Sequence, residues 1–155
     1  MLEVTARAIT YYLDVSSECT RRIVQVEGAV RALCNRLVIM DEDSKTSKDL
    51  TEQCVKVLEL VCSREPGIVF ESGGLGSVLS YVSLYRQQTH EDTLRSALSI
   101  LSRLITRLDP NDSQLSSYIE SLTSMLHSDD QTVCSILLDF SLLFFSILNR
   151  FVIAH

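Results

Sequence analysis

The sequence has few of the residues that interrupt helices or build tight turns. It contains 2 Pro and 5 Gly in 155 residues, and no segment alternates apolar with polar residues over the length of a strand. Apolar residues instead recur with the 3.6-residue period of an amphipathic helix along most of the chain. These features argue against a β-sheet and predict an all-helical protein.

Aromatic and basic residues are also scarce. There is no Trp and the aromatic share is 6%, which predicts an aliphatic core. The 14 Lys and Arg are outnumbered by 20 Asp and Glu, and the net charge of −6 opposes the phosphate neutralisation on which nucleic-acid affinity depends. A chain of this length buries roughly 68–70% of its unfolded surface, enough for one core. We expect one folded domain and no nucleic-acid partner.

Patterns that would bind metal or form disulfides are missing. No Cys-x-x-Cys occurs, and the three His are distant in sequence from any pair of Cys, so no metal or other cofactor is predicted. The number of Cys is odd, and four of the five lie in helical apolar patterns, where thiols behave as small buried hydrophobes. Reduced thiols favour a cytoplasmic and/or nuclear location. The first ten residues, MLEVTARAIT, lack the apolar core of a secretory signal, so export is not expected.

What the sequence does contain is an internal repeat. IVQVEGAVRALCNRL, residues 23–37, is matched by IVFESGGLGSVLSYV, residues 68–82, and Gly28 falls on Gly73 after a displacement of 45 positions. A later apolar pattern also recurs with a displacement of 43, pairing residues 54, 55, 57, 58 and 61 with residues 97, 98, 100, 101 and 104. The repeated unit is a short helix, a Gly, a medium helix, a polar loop and a long helix. Three-helix units of roughly 40–47 residues are typical of armadillo-type repeats.

The periodicity predicts helices over residues 2–14, 17–26, 29–39, 48–64, 66–72, 75–86, 91–108 and 113–126. Ser47 is expected to cap the long helix from residue 48, and both Gly28 and Gly73 are expected at inter-helix turns. The first helix places Val4, Ala8, Ile9, Tyr12 and Leu13 on one face and corresponds to the last helix of a preceding unit. The predicted fold is an armadillo-like right-handed α-solenoid of about three partial or complete three-helix repeats.

The carboxy-terminal segment differs from the rest. Residues 134–155, CSILLDFSLLFFSILNRFVIAH, are apolar on nearly every side, so we divide the chain into a repeat region, 1–133, and a divergent tail, 134–155. We expect the tail to be a buried helix and do not expect a membrane partner, although a membrane anchor is the alternative. Its longest apolar run, interrupted by Asp139, is shorter than the roughly 18 residues of a membrane span. Without the polar outer face of a terminal repeat, the tail also predicts self-association.

Two stretches resemble ligand sites but lack essential groups. A calcium loop beginning at Asp41 would have Thr46 in place of the turn Gly and Lys45 in place of an oxygen ligand. GGLGS, residues 73–77, has no phosphate-binding Lys and no preceding strand. We interpret the first as a solvated loop and the second as a turn.

The surface of the long helices offers the remaining candidate site. Such helices line a groove in armadillo-type stacks, so their polar side chains form a candidate partner-binding face: Glu52, Lys56, Glu59, Arg95, Ser99 and Arg103. The alternative is an ordinary solvated helix surface. A thiol hydrolase that uses Cys34 or Cys54 with His90 is a competing hypothesis, although the helical phase buries both Cys.

Four stretches carry a resemblance to a known family: AITYYLDVSSECTRRIV, GAVRALCNRL, EQCVKVLELVCSRE and VFESGGL. They resemble the amino-terminal armadillo-like region of animal HECT-domain E3 ubiquitin ligases, over residues 6 to about 133 and more weakly from 83 onward. The resemblance implies a parent protein that transfers ubiquitin from a charged E2 through a Cys of a carboxy-terminal catalytic domain. That domain is absent here, so no catalytic residue is carried over, and the divergent tail is consistent with a truncated or alternatively spliced product or a mis-predicted gene end.

We therefore predict a protein–protein interaction scaffold, a fragment of a HECT-type E3 ligase that binds protein partners or ubiquitination substrates without catalysis of its own. The alternative is a stand-alone α-solenoid adaptor, membrane-associated through its tail.

Overall fold

A computed structural model of the chain describes residues 2–39, 45–109 and 111–126, together with the single positions 145, 149 and 153. The described residues form no strand, and the prediction of an all-α protein is confirmed. The helices are α1 (Leu2–Val15), α2 (Ser17–Gln25), α3 (Ala29–Val38), α4 (Lys45–Arg64), α5 (Pro66–Glu71), α6 (Gly74–Tyr85), α7 (Glu91–Ile105) and α8 (Leu115–Leu126).

Two predicted helix limits are wrong by about a turn. Helix α7 ends at Ile105 and not at residue 108, and α4 begins at Lys45 and not at residue 48. Ser47 therefore lies inside α4, where its buried hydroxyl accepts a hydrogen bond from Arg36 Nη2 at 2.6 Å. Its carbonyl oxygen accepts from Thr51 Oγ1 at 2.8 Å. Ser47 thus links α3 to α4 and does not cap a helix.

The two repeated Gly occupy equivalent turns, as predicted. Gly28 precedes α3 with φ of 75°, and Gly73 precedes α6 with φ of 83°. Each carbonyl oxygen accepts the first helical hydrogen bond, from Ala32 N at 2.8 Å and from Ser77 N at 3.2 Å. Residues with a Cβ avoid this left-handed conformation, so Gly permits the sharp change of direction between the short and the medium helix of each unit.

Helices that hold the same place in the unit pack beside one another. The long helix α4 packs against α1 on one side and α7 on the other, and the medium helix α6 packs against α3 and α8. Within each unit the medium helix also packs on the long helix that follows it, α3 on α4 and α6 on α7. The chain thus forms one layer of α1, α4 and α7 and a second layer of α3, α6 and α8.

The core lies between these two layers and is mostly aliphatic. All ten residues of the long-helix match are at most 5% exposed: Cys54, Val55, Val57, Leu58 and Val61 in α4, and Ala97, Leu98, Ile100, Leu101 and Leu104 in α7. The medium helices contribute equivalent pairs, Val30 with Leu75 and Leu37 with Val82. The helical phase inferred from the repeat is therefore correct.

Residues 127–155 lie outside the described part of the chain, apart from the three single positions. The domain division at residue 134, self-association through the tail and a membrane anchor there stay predictions. None of the described helices combines the length and apolarity required to cross a membrane.

Candidate partner-binding face

The six candidate residues lie on α4 and α7, which pack along each other. Glu52, Lys56 and Glu59 follow one another at spacings of four and three residues, and Arg95, Ser99 and Arg103 at spacings of four, so each set forms a stripe along one side of its helix. None of them is buried. Arg95 and Arg103 are exposed, and the other four are partly exposed.

At the amino-terminal end of the two helices, the stripes make contacts within the chain. His90 N donates a hydrogen bond to Glu52 Oε1 at 3.5 Å, which connects α4 to the residue that caps α7. A groove of about 430 Å³ lies beside this contact, lined by Lys48, Asp49, Glu52 and residues 87–90. In α7, Arg95 Nη2 forms an ion pair with Glu91 Oε1 at 2.9 Å. Glu52 and Arg95 therefore already have partners.

Toward the carboxy-terminal end, the charged side chains are less engaged. Lys56, Glu59 and Arg103 form no ion pair with any residue that the structure describes. Burial raises the pKa of the Cys62 thiol to about 11, an effect that Arg103 and Arg107 oppose and Glu59 reinforces. Glu59 of α4 and Arg103 of α7 therefore both interact electrostatically with the same buried thiol of α4.

The thiols proposed for a hydrolase are poorly placed for nucleophilic chemistry. Cys34 and Cys54 are buried, and burial raises the pKa of Cys34 to about 11 and also raises the pKa of Cys54. His90 is exposed, and its Nδ1 accepts a hydrogen bond from Asp92 N at 3.4 Å, the position of a helix cap. A buried thiol that holds its proton is inert as a nucleophile, so the hydrolase hypothesis gains no support.

The other motif-like stretches also serve the fold. Gly74 packs so closely on α5 that an added Cβ would lie 2.5 Å from Val69 Cγ1, so GGLGS makes a tight inter-helix contact. The proposed calcium loop would need irregular backbone at Lys45 and Thr46, where α4 is already helical. Its residues 41–44 lie outside the described residues. Among the residues that are described, no three His, Cys, Asp or Glu side chains group to hold a metal ion.

Sequence reasoning missed two Arg that join neighbouring elements. Arg36 reaches from α3 to Ser47 of α4 and also donates to the carbonyl of Ile39. Arg64, at the end of α4, donates to the carbonyl oxygen of Ser16 at 3.2 Å and to the buried hydroxyl of Thr20 in α2. The sequence carried no signal for either pairing, because the burial that requires the Thr20 hydroxyl to find a partner follows from packing.

Comparison with known proteins relates the chain to longer ones. It is 57% identical over 133 residues to the E3 ubiquitin-protein ligase Ufd4 of Drosophila melanogaster and 52% identical over 133 residues to the E3 ubiquitin-protein ligase hecd-1 of Caenorhabditis elegans. The chain is homologous to a segment of E3 ubiquitin-protein ligases. The resemblance to animal E3 ubiquitin ligases is thereby confirmed.

The segment is a small part of these ligases. The two matches cover 86% of this chain but 5% of each relative. A more distant match, 28% identical over 98 residues, is the E3 ubiquitin-protein ligase UPL4 of Arabidopsis thaliana, and it covers 63% of the chain and 6% of that protein. No family model matches the chain, and no solved structure matches it significantly.

The ligase homology includes the candidate face. A continuous stretch of 133 residues in a chain of 155 must contain residues 23–133, whichever end it leaves out. Both copies of the repeated unit, and all six candidate residues on α4 and α7, therefore lie within the ligase-related segment.

Proposed function

We propose that this chain is a protein-binding arm of a HECT-type E3 ubiquitin ligase, built as an armadillo-like right-handed α-solenoid and without catalysis of its own. The side-by-side packing of α1, α4 and α7, and of α3, α6 and α8, supports the solenoid, because stacked repeats bring equivalent helices together. The ligase homology supports a role in ubiquitination, in which the transfer chemistry belongs to other parts of the longer protein.

The observation that carries the binding role is the pair of polar stripes on the adjacent helices α4 and α7. Two consecutive units together present a surface that neither presents alone, which is how repeat proteins build extended binding sites. Lys56 and Arg103 have no ion-pair partner among the described residues, so their charges can pair with carboxylates of a bound protein. An acidic segment of a partner or ubiquitination substrate is the chemistry that fits this end of the face.

Composition and thiol state support the kind of partner and the cellular compartment that we propose. The net charge of −6 supports protein partners over nucleic acid. The four described Cys are free thiols, and three of them are buried, which supports a reducing compartment, the cytoplasm and/or the nucleus.

Charge reversal on the face tests this function. The tagged chain and its Lys56→Glu/Arg103→Glu variant are used to purify binding proteins quantitatively from cells, and each bound protein is then tested as a substrate of the full-length Drosophila relative. We expect the variant to lose about tenfold or more of a defined set of partners, and some of that set to be ubiquitinated by the ligase.

Arg31→Glu provides the matched control, because Arg31 is an exposed charge on α3, in the other layer. It should keep the complete set of partners. If Lys56→Glu/Arg103→Glu and Arg31→Glu bind the same proteins equally well, the face is not a binding site and the proposal fails.

A further inference from the structure

Helix α1 exposes a large apolar surface. Val4, Tyr11 and Tyr12 are 71%, 67% and 60% exposed, and Ala8 is exposed beside them. The two Tyr rings pack edge to face, with centroids 5.9 Å apart. Soluble proteins rarely leave aromatic and aliphatic side chains together on one surface unless something binds there. The sequence predicted one apolar face of Val4, Ala8, Ile9, Tyr12 and Leu13. Of those whose side chains are described, Ile9 packs against the core, whereas Val4, Ala8 and Tyr12 are exposed.

The repeat shows that these positions are normally buried. A pattern of two apolar residues, one variable residue and two apolar residues occurs in all three long helices, as Ala8-Ile9-x-Tyr11-Tyr12, Cys54-Val55-x-Val57-Leu58 and Ala97-Leu98-x-Ile100-Leu101. All eight apolar residues of the copies in α4 and α7 are at most 5% exposed. In the α1 copy, by contrast, Ala8, Tyr11 and Tyr12 are exposed.

What covers the pattern in α4 and α7 is a pair of helices that precedes each of them. Helices α2 and α3 pack on α4, and α5 and α6 pack on α7. Helix α1 packs on α4 and α2, both of which follow it, and no described helix precedes it. The exposed surface of α1 is therefore the place that a short and a medium helix occupy in the other two units.

We propose that this surface of α1 binds an amphipathic helix pair, a short helix and a medium helix joined by a Gly turn, supplied by the residues that precede this segment in the longer ligases. The relatives are far longer than the segment that matches this chain, which is 5% of each, so they contain many further residues. The bound pair presents aliphatic side chains at the positions that Val30 and Leu37 hold in α3 and that Leu75 and Val82 hold in α6. This inference rests on the stacked-repeat part of the proposed function and is independent of the face on α4 and α7.

A direct binding measurement tests the inference with the full chain. The probe is a fluorescently labelled peptide of about 45 residues, one repeat length, taken from the Drosophila relative immediately before its matching segment. Binding is followed by fluorescence anisotropy. We expect saturable binding to the wild-type chain and a loss of affinity of about tenfold or more with Tyr11→Glu/Tyr12→Glu, because buried aromatic side chains dominate such contacts.

Leu84→Glu is the matched control, since Leu84 is 66% exposed on α6, outside the proposed contact. It should bind the probe as the wild type does, and Tyr11→Leu/Tyr12→Leu, which keeps the surface apolar, should retain most of the affinity. Circular dichroism checks that every variant is folded, as expected for substitutions at exposed positions.

Absence of binding, or an equal loss with Leu84→Glu, overturns the inference. A different outcome is that the wild-type chain fails to bind the probe and self-associates in a concentration-dependent way that Tyr11→Glu/Tyr12→Glu abolishes. That result also overturns the inference and assigns the surface to a second copy of the chain. Neither result changes what the charge-reversal experiment on Lys56 and Arg103 shows about the partner-binding face.

Discussion

Leu58 and Leu101 hold the same position in consecutive long helices and contribute equally to the core. They are 0% and 3% exposed, and the repeat pairs them at a displacement of 43 residues. Each packs between the two helix layers, where a shortened side chain leaves a cavity that surrounding residues fill only in part.

We therefore expect Leu58→Ala and Leu101→Ala each to lower the free energy of unfolding by about 2–5 kcal/mol, measured by urea denaturation. Leu84→Ala is the control, because this Leu is largely exposed and its truncation should change the free energy of unfolding by less than about 0.5 kcal/mol. Near-neutral effects of both core substitutions would show that the helical phase is incorrect.

At the scale of elements, the short-to-medium helix turn is the part of the unit most dependent on residue type. Gly28 and Gly73 have positive φ, and an added Cβ at either would meet no atom within 4 Å. Any cost of a side chain there is therefore backbone strain and not a clash. Gly76, in contrast, lies inside α6, where a Cβ would make an ordinary contact 3.7 Å from the Tyr118 hydroxyl.

This contrast predicts opposite effects of the same substitution. Gly28→Ala and Gly73→Ala should each destabilise the chain by about 1–2 kcal/mol, since Ala disfavours the left-handed conformation. Gly76→Ala should stabilise it by about 0.5–1 kcal/mol, because Ala loses less backbone freedom than Gly in a helix. Thermal and urea unfolding of the three variants measure the difference. A gain in stability from Ala at residue 28 or 73 would mean that the turn does not need a positive φ.

The positions of the elements were largely predictable from the sequence, because apolar periodicity and the two Gly mark where helices lie and turn. Helix limits were less predictable where a tertiary contact decides them. Ser is a residue type that favours helix caps, but α4 begins before Ser47. The Ser47 hydroxyl instead accepts a hydrogen bond from Arg36, which lies 11 positions earlier on another helix. Pairings such as Arg64 with Thr20 depend in the same way on packing between distant segments.

At the scale of the whole molecule, the polar stripes on α4 and α7 were predictable because each follows from the period of one helix. The sequence did not predict that some charged side chains of these stripes have partners within the chain while others form no ion pair with a described residue. Glu52 meets His90 N only because the loop before α7 lies beside the start of α4. The exposure of Tyr11 and Tyr12 was also hidden from periodicity, which shows that a face is apolar but not whether another helix covers it.

The last prediction concerns catalysis: the chain should accept no ubiquitin, although it is homologous to ubiquitin ligases. Transfer from E2 requires an accessible thiolate, whereas burial raises the pKa of both Cys34 and Cys62 to about 11 and also raises that of Cys54. At neutral pH a thiol with a pKa near 11 is ionised in roughly one molecule in ten thousand. Cys19 is only half-buried, and Cys134 lies outside the described residues, so both need a direct test.

Incubation of the purified chain with ubiquitin-charged E2 should therefore give no adduct that a reductant removes, as judged by non-reducing electrophoresis. The full-length Drosophila relative serves as the positive control for the charged E2. A reductant-sensitive adduct on the chain, abolished when one of its five Cys is replaced by Ser, would show that a thiol of this segment takes part in transfer. The homology to a ligase would then extend to its chemistry, and a purely binding role would be wrong.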